Sequence, residues 1–222
     1  MNESRALLLI ADIGGYTRYM SLHRLSLAHA QANVARLLKA VINAARGLDV
    51  IEIEGDAVFL SRPAEGDAAE TATEAARAMH RAFHGEKGRI VQNLCPCEGC
   101  ETAGALTLKF VAHVGLVAVQ KVNRRRSLVG PDVILVHRLL KNSVPVPEYV
   151  LYSEDLYGGG DATRLEQEVE GLGRVRAYFV PLEPAPDAAP KQGLVSRVGE
   201  TLGVLGRGFP YLVGLKRSAA AH

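Results

Sequence analysis

Two aspartates, each at the end of an apolar stretch, are the residues of this sequence best placed to do chemistry. Asp12 follows the apolar run at residues 6–11, and Asp56 lies in a Gly-Asp turn between two further apolar runs. Two carboxylates held a few ångströms apart repel each other unless a cation lies between them. Carboxylate oxygens suit Mg²⁺ or Mn²⁺. The pair therefore predicts a divalent-metal site, the alternative being two unrelated turn aspartates.

The backbone next to Asp12 extends this prediction. The carbonyl of Ile13 is a candidate further ligand for the metal. Gly14 and Gly15 follow it, and glycines leave the backbone open to the close approach of a phosphate group. The stretch is thus a candidate phosphate site beside the predicted metal site.

A second candidate site is a cluster of cysteines, which contains all three cysteines of the chain. Cys95, Cys97 and Cys100 are close enough in sequence to bind one ion, and thiolates select zinc or an iron–sulfur centre. A closed tetrahedral zinc site needs a fourth ligand, for which His84, His80 or a residue of a second protomer is available. The rival interpretation is a set of thiols, or a redox pair, in a surface loop.

The elements that must position these residues follow from hydrophobic periodicity. A continuous apolar run predicts a buried strand at residues 6–13, and apolar residues at helical spacing predict a helix at residues 26–46. The later elements are a hairpin turning at Gly55-Asp56, a helix at 65–83, a loop at 84–104 that holds the cysteines, a long strand at 106–122 with a kink near Gly115, a helix from 131, and strands at 148–152 and 174–182.

This order of elements predicts an α+β fold of the ferredoxin-like βαββαβ type, with helices on one face of the sheet and extra C-terminal strands. In that arrangement the first strand is central and lies beside the hairpin, so Asp12 and Asp56 meet at neighbouring strand ends. We assign residues 1–182 to this domain. Residues 183–222 begin with a Pro- and Ala-rich linker and form a tail that docks on an unknown partner or stays loose.

The composition excludes several functions. The net charge is +2 and the chain contains no Trp, which gives no support to binding nucleic acid. No apolar run reaches the length of a transmembrane segment, and the N-terminal apolar run is too short for a secretory signal. We therefore expect a cytoplasmic protein without a nucleic-acid partner.

Five stretches of the sequence resemble the class III nucleotidyl cyclase catalytic domains, which include adenylyl and guanylyl cyclases. They occur in the order of that family and cover residues 5–182. "ADIGGYT" and "IEGDAVFL" resemble the two metal-binding motifs, "FVAHVGLV" the strand after the second helix, "SLVGPDVILVHRL" the segment with the transition-state residues, and "VEGLGRVRAYFV" the terminal strand pair. In detail the chain resembles a divergent bacterial cyclase-like branch.

The resemblance implies a homodimer, paired head to tail, with active sites in the groove between the protomers. Asp12 and Asp56, with the carbonyl of Ile13, would hold two Mg²⁺ or Mn²⁺ ions on a purine nucleoside triphosphate. In the family, the ribose 3′-hydroxyl attacks the α-phosphate and releases pyrophosphate, which is an in-line displacement supported by two metals.

The resemblance also assigns residues to the rest of the site. Arg138 matches the arginine that stabilises the transition state, and a guanidinium spreads phosphoryl charge well. Glu52 matches the base-selecting position, where a glutamate resembles the guanylyl type because a carboxylate accepts hydrogen bonds from guanine. Ser127 matches the companion position, which a neutral hydroxyl suits without being diagnostic.

The chain departs from the family at three catalytic positions. Ile134 stands where an Asn orients the ribose, Glu170 where a Lys binds the β- and γ-phosphates, and Leu172 where a second Lys is often found. The loss of one positioned transition-state group commonly costs about a hundredfold in rate. The sequence thus favours a domain that binds metal and a purine nucleotide with weak or absent cyclase activity. The alternatives are an active guanylyl or adenylyl cyclase, and a ligand-free homodimeric scaffold with a zinc-stapled loop.

Overall fold

The computed structural model describes residues 3–23, 27–92, 98–123 and 125–183. The strands within these ranges are β1 Glu3–Gly14, β2 Asp49–Glu54, β3 Ala57–Pro63, β4 Thr107–Val122, β5 Arg125–Val129, β6 Tyr149–Ser153, β7 Thr163–Val169 and β8 Gly173–Pro181. The helices are α1 Tyr16–Leu22, α2 Leu27–Ala44, α3 Ala68–Val91, α4 Glu98–Thr102 and α5 Pro131–Arg138. Beyond its first residue, the predicted linker and tail at 183–222 lies outside the described ranges.

The strands form one mixed sheet in the order β2-β3-β1-β4-β6-β8-β7, and β5 pairs with β4. The first strand is central, because β1 pairs antiparallel with β3 on one side and with β4 on the other. The strand β6 runs parallel to β4 and continues the sheet into β8 and β7. The predicted α+β fold, with a central first strand beside a hairpin, is confirmed.

The chain divides into two compact units. The sheet unit consists of Met1–Gly14, Leu38–Phe83 and Thr107–Ala185, and it contains every strand named above. The helical unit includes Gly15–Leu37 and His84–Leu106. The domain boundary expected at residue 182 stays a prediction. Within the described ranges, no helix combines the length and the apolar character needed to cross a bilayer.

The strand β1 is buried on both faces. Leu8 and Ile10 belong to a hydrophobic cluster that includes Val136 of α5, whereas Leu7 and Leu9, on the opposite face, are equally inaccessible to solvent. Fully burying one such side chain stabilises the fold by about 1.5–3 kcal/mol. The apolar run that predicts this strand therefore fixes its position, and with it the position of Asp12.

The segment 84–104, predicted to be a loop, is largely helical, and that prediction is wrong in its first and last parts. The helix α3 continues to Val91, and α4 follows at Glu98–Thr102. The reason is that Met79, Phe83 and Ile90 are all fully buried and recur at helical spacing, which outweighs the glycines in this stretch.

The strand β4 runs through Gly115 as one element from Thr107 to Val122. The glycine allows a side chain of α5 to approach the strand closely, and the kink expected near it stays a prediction. A Cβ atom at Gly115 would lie 2.3 Å from the carboxylate of Asp132.

The carboxylate of Asp132 accepts a hydrogen bond from the amide of Leu116 at 2.6 Å and lies 3.2 Å from Nε2 of His113. His113 is buried and its Nδ1 is 2.7 Å from Oγ of Ser153. This polar contact joins α5 to two strands of the sheet.

We predict that Gly115→Ala destabilises the protein by about 2 kcal/mol or more, because the added methyl group must displace Asp132 from its two partners. Equilibrium urea unfolding measures the change. Gly85→Ala is the matched control, since a Cβ atom at this helical position meets nothing within 4 Å and should be stabilising by about 0.5–1 kcal/mol. Equal stability of Gly115→Ala and the natural protein would contradict the assignment.

Candidate functional site

The sheet brings Asp12 and Asp56 together at one end. Asp12, at the end of β1, pairs with Ala57, the residue after Asp56. The amide of Ile13 donates a hydrogen bond to the backbone carbonyl of Asp56 at 3.2 Å. Burial, and next the negative charge of Asp12, raise the pKa of Asp56 to about 6. The carboxylate of Asp12 therefore lies close enough to Asp56 to disfavour the charged form of Asp56.

A lysine that sequence reasoning missed completes this cluster. Lys109 pairs with Asp12 across β1 and β4, and its Nζ lies 3.1 Å from Oδ2 of Asp12. The same ammonium group donates a hydrogen bond to the carbonyl of Leu140 at 3.4 Å. The signal in the sequence is a single lysine within the apolar strand "LTLKFVAHVGLV". One positive charge against two carboxylates leaves the cluster with a net negative charge when both are ionised.

The two glycines after Ile13 have separate structural roles. A Cβ atom at Gly14 would lie 2.3 Å from Oγ1 of Thr107, so β1 and β4 could not approach as they do. Gly15 precedes the first turn of α1 with φ at 84°, a left-handed conformation that glycine adopts without strain. These constraints account for both glycines, and their role at a phosphate stays a prediction.

The two predicted base-contacting residues lie on elements that approach one another. Glu52 is exposed on β2, next to a register irregularity between Val50 and Glu52. Ser127 is half-buried on β5, where it pairs with Gln120 of β4. Because β2 and β5 come into contact, the sheet unit places Glu52 and Ser127 on adjacent elements.

Arg138, the predicted transition-state arginine, is paired with Glu170, which the family resemblance places where a lysine binds phosphate. Arg138 ends α5, and its Nη1 donates hydrogen bonds to Oε2 of Glu170 at 3.0 Å and to the backbone carbonyl of Glu170. One turn earlier on α5, Ile134 is 51% exposed. Leu172, in the turn after β7, is also an exposed apolar residue. The charge of Arg138 is therefore partly neutralised within its own chain.

The cysteine cluster is described at one of its three positions, since Cys95 and Cys97 lie outside the described residues. Cys100 is 1% exposed in α4, and its Sγ lies 3.1 Å from Nε2 of His29 on α2. Burial is the main cause that lowers the pKa of His29, which favours the neutral ring. Sequence reasoning missed His29, because nothing in the sequence relates a residue of the first long helix to the cysteines.

The two histidines predicted as a fourth zinc ligand both lie on α3. His80 belongs to the sheet unit, is buried, and has Nε2 3.1 Å from Oε2 of Glu148. Glu148 also accepts a hydrogen bond from the amide of Leu108 through its other oxygen. His84 lies one turn further on, in the helical unit. A role of either histidine at the cysteines stays a prediction.

Comparison with known sequences identifies relatives over most of the chain. The family described as "Protein of unknown function (DUF2652)" matches residues 34–149. The chain is also 35% identical over 196 residues to "Uncharacterized protein Rv2561/Rv2562" from Mycobacterium tuberculosis, and this alignment covers 84% of the chain and 92% of the relative.

Solved structures of cyclases share the fold. The guanylate cyclase domain of RhGC from Catenaria anguillulae, solved in complex with GTP, matches with a TM-score of 0.62 and 20% identity, over 83% of this chain and 100% of that one. The adenylyl cyclase CyaB from P. aeruginosa matches with a TM-score of 0.57 and 15% identity, over 83% and 98% of the two chains. At these identities the likeness establishes the fold, and the predicted resemblance to class III cyclase domains is confirmed.

We predict that Asp56→Asn stabilises the protein at pH 7.5 by roughly 1 kcal/mol, a value discounted for the partial exposure of the group. The pKa of Asp56 is raised from 3.8 to about 6, so between these values the folded state holds the proton more tightly than the unfolded chain. The free energy of unfolding of the natural protein should therefore fall as pH rises from about 4 to about 6. Asp56→Asn removes the charge and with it this loss of stability.

Urea unfolding at pH 4, 5, 6 and 7.5, in buffer with a chelator, measures this difference. The advantage of Asp56→Asn should shrink as pH falls through 6 towards 4. Glu54→Gln is the matched control, since Glu54 is an exposed carboxylate on the same hairpin. A constant difference between Asp56→Asn and the natural protein at every pH would show that the charge of Asp56 is not its cause.

Proposed function

The chain belongs to the DUF2652 family, and from that premise and the cyclase fold we propose that it is a cyclase-homology domain that binds a divalent cation and a purine nucleoside triphosphate, with little or no cyclase turnover. The observation that carries the proposal is the juxtaposition of Asp12 and Asp56 at one end of the central strand. Burial and, next, the charge of Asp12 raise the pKa of Asp56, so the ionised pair is unfavourable on its own, and a divalent cation would relieve both costs.

The residues at this end of the sheet fit Mg²⁺ or Mn²⁺. Both ions prefer oxygen ligands, which Asp12, Asp56 and the backbone carbonyl of Ile13 provide. Lys109 offsets one of the two carboxylate charges, and the remaining net charge still attracts a divalent cation. When bound, the metal supplies positive charge that neutralises the oxygens of a triphosphate. Asp12 would exchange its contact with Lys109 for the metal, which leaves the ammonium group able to pair with a phosphate.

The proposal extends to the base of the nucleotide. Glu52 is exposed on β2 and Ser127 lies on the adjacent β5. A carboxylate accepts hydrogen bonds from the N1 and N2 hydrogens of guanine, whereas adenine presents no matching pair of donors. We therefore place GTP ahead of ATP as the preferred nucleotide.

The residues from which we infer weak turnover lie on α5 and in the turn between β7 and β8. Arg138 donates two hydrogen bonds to Glu170, so its guanidinium is engaged before a substrate arrives. A carboxylate at this position also repels the phosphates that the family's lysine binds. Ile134 offers no hydrogen bond to a ribose. Losing each such group commonly costs about a hundredfold in rate.

The proposal includes a homodimer, paired head to tail as the family resemblance implies. Ile134 and Leu172 are exposed apolar residues at positions that face the partner in the cyclase arrangement. On the β2 and β4 strands, Ile53 and Leu116 are also more than half exposed. A second copy of the chain would remove these side chains from water. In this arrangement the carboxylates of one protomer work opposite the α5 helix of its partner.

We predict that the protein binds GTP only in the presence of Mn²⁺ or Mg²⁺, and that Asp12→Asn lowers the affinity by at least about tenfold, or 1.4 kcal/mol, because one of two carboxylate ligands is lost. Isothermal titration calorimetry of the purified full chain with each of the four ribonucleoside triphosphates measures this. Glu54→Gln on the neighbouring hairpin strand should bind as the natural protein does. GTP binding without a metal ion, or an unchanged affinity in Asp12→Asn, would show that the metal site is assigned to the wrong residues.

A second prediction concerns turnover. The natural chain should form little cyclic nucleotide from Mn²⁺ and GTP, and the double variant Ile134→Asn/Glu170→Lys should form at least about a hundredfold more. The reason is that the double variant removes the carboxylate that pairs with Arg138 and restores an amide and an ammonium group at the positions that lack them. Mass spectrometry of the product provides the measurement.

The control for this gain is Ile134→Asn/Glu168→Lys, which reverses an exposed charge on the adjacent strand without releasing Arg138. A natural chain that already turns over GTP as fast as the double variant would identify an active cyclase. A double variant that binds GTP but gains no turnover would show that Ile134 and Glu170 do not cause the low activity.

A further inference from the structure

We infer that the cleft between α3, β6 and the loop at 154–162 is a binding site for a small zwitterion, whose amine lies towards the start of α3 and whose carboxylate lies at Arg77. The cleft has a volume of about 290 Å³. All of its lining residues belong to the sheet unit. The inference is independent of the proposed nucleotide site.

The cleft lies on the face of the sheet opposite α5. Leu151 belongs to the hydrophobic cluster that packs on α5, and neighbouring side chains of a strand point to opposite faces, so Tyr152 points away from α5. Tyr152 also pairs with Ala112 of β4, three residues beyond Lys109, which pairs with Asp12. The cleft is therefore distinct from the carboxylate pair at the end of β1.

Charges of opposite sign line the cleft along α3. Asp67 caps the start of the helix, Glu70 lies in its first turn, and Arg77 lies about two turns, or about 10 Å, beyond Glu70. Asp161 adds a third carboxylate from the loop. Neither Glu70 nor Arg77 forms an ion pair with another residue that the structure describes. Both charges are exposed and are therefore open to the two ends of a dipolar ligand.

Tyr152 supplies a buried hydrogen-bond acceptor between these charges. It is 5% exposed, and its hydroxyl lies 2.7 Å from Oγ1 of Thr73. Because Thr73 donates its own hydroxyl hydrogen to the carbonyl of Ala69, Tyr152 donates to Thr73, and no described residue fills its oxygen lone pairs. Burial raises the pKa of Tyr152, whereas the bond with Thr73 and the charge of Arg77 lower it, which indicates that the guanidinium lies near this hydroxyl.

Tyr157 holds the loop that forms the outer wall of the cleft. Its ring stacks on that of Tyr178 with 4.0 Å between the centroids, and its hydroxyl donates a hydrogen bond to the carbonyl of Gly160 at 2.6 Å. Ala69 and Val180 contribute apolar lining, which suits a chain of methylene groups between the two charged ends of a ligand. The wall is thus formed before a ligand arrives, as is usual for small-molecule sites.

The test is isothermal titration calorimetry of the full chain, without metal or nucleotide, with ε-aminocaproate as the probe. We expect saturable binding of this probe, and binding of hexylamine and of hexanoate that is at least about tenfold weaker, because each lacks one charged end. Glycine, which has both charges but no methylene chain, should also bind at least about tenfold more weakly. No saturable binding of ε-aminocaproate, or equal affinities for the probe and hexylamine, would overturn the inference.

Arg77→Gln tests the carboxylate end of the ligand. This variant should bind ε-aminocaproate at least about tenfold more weakly and should bind hexylamine as the natural protein does. Arg81→Gln is the matched control, since Arg81 is an exposed arginine one turn further along α3 and outside the cleft. An unchanged affinity for the probe in Arg77→Gln, or an equal loss in Arg81→Gln, would contradict the assigned end.

Glu70→Gln tests the amine end. This variant should weaken the binding of both ε-aminocaproate and hexylamine and leave that of hexanoate unchanged. Asp12→Asn should bind the probe with the affinity of the natural protein, because the carboxylate pair at the end of β1 is a separate site. Loss of probe binding in Asp12→Asn, with Glu70→Gln unaffected, would show that the amine binds at that pair and that the cleft is not its site.

Discussion

The burial of β1 between β3 and β4 is the constraint on which the rest of the sheet unit depends. Five consecutive apolar residues of this strand are almost inaccessible to solvent, and a shift by one residue would exchange the side chains of its two buried faces and disrupt the packing on both. Its register fixes Asp12 opposite Ala57 on one side and opposite Lys109 on the other. The carboxylate pair is therefore held by the backbone of a rigid strand, which is what a site of defined geometry needs.

Two groups of charges in the sheet unit have opposite consequences. At the end of β1, two carboxylates lie near one lysine, and burial, followed by the charge of Asp12, raises the pKa of Asp56. At the end of α5, the arginine and its carboxylate partner are matched one to one. The first group would attract a cation, whereas in the second the guanidinium is already paired with a carboxylate. The proposed function, binding without efficient chemistry, rests on this difference.

The helical unit contains a buried polar network beside its apolar side chains. Tyr19, Asn33 and the backbone at Gly99 form a chain of hydrogen bonds that ends at Cys100. Leaving such buried groups without partners costs about 1–3 kcal/mol each. A network of this kind holds one sulfur in place, and the contact of that sulfur with His29 gives the cysteine motif a partner in a distant helix.

The sequence by itself determined the central strand, the hairpin that turns at Asp56, and the order of elements, because each depends on local apolar patterns and turn residues. It also predicted a role in chemistry for Asp12 and Asp56 and, through the family resemblance, for Arg138. Only the tertiary structure brought Lys109 to Asp12, Glu170 to Arg138 and His29 to Cys100. Each of these contacts joins residues that are distant in the chain, and pairing across strands or helices leaves no periodic signal in a sequence. The continuation of α3 beyond residue 83 was likewise decided by tertiary burial of Ile90, which local glycine content obscured.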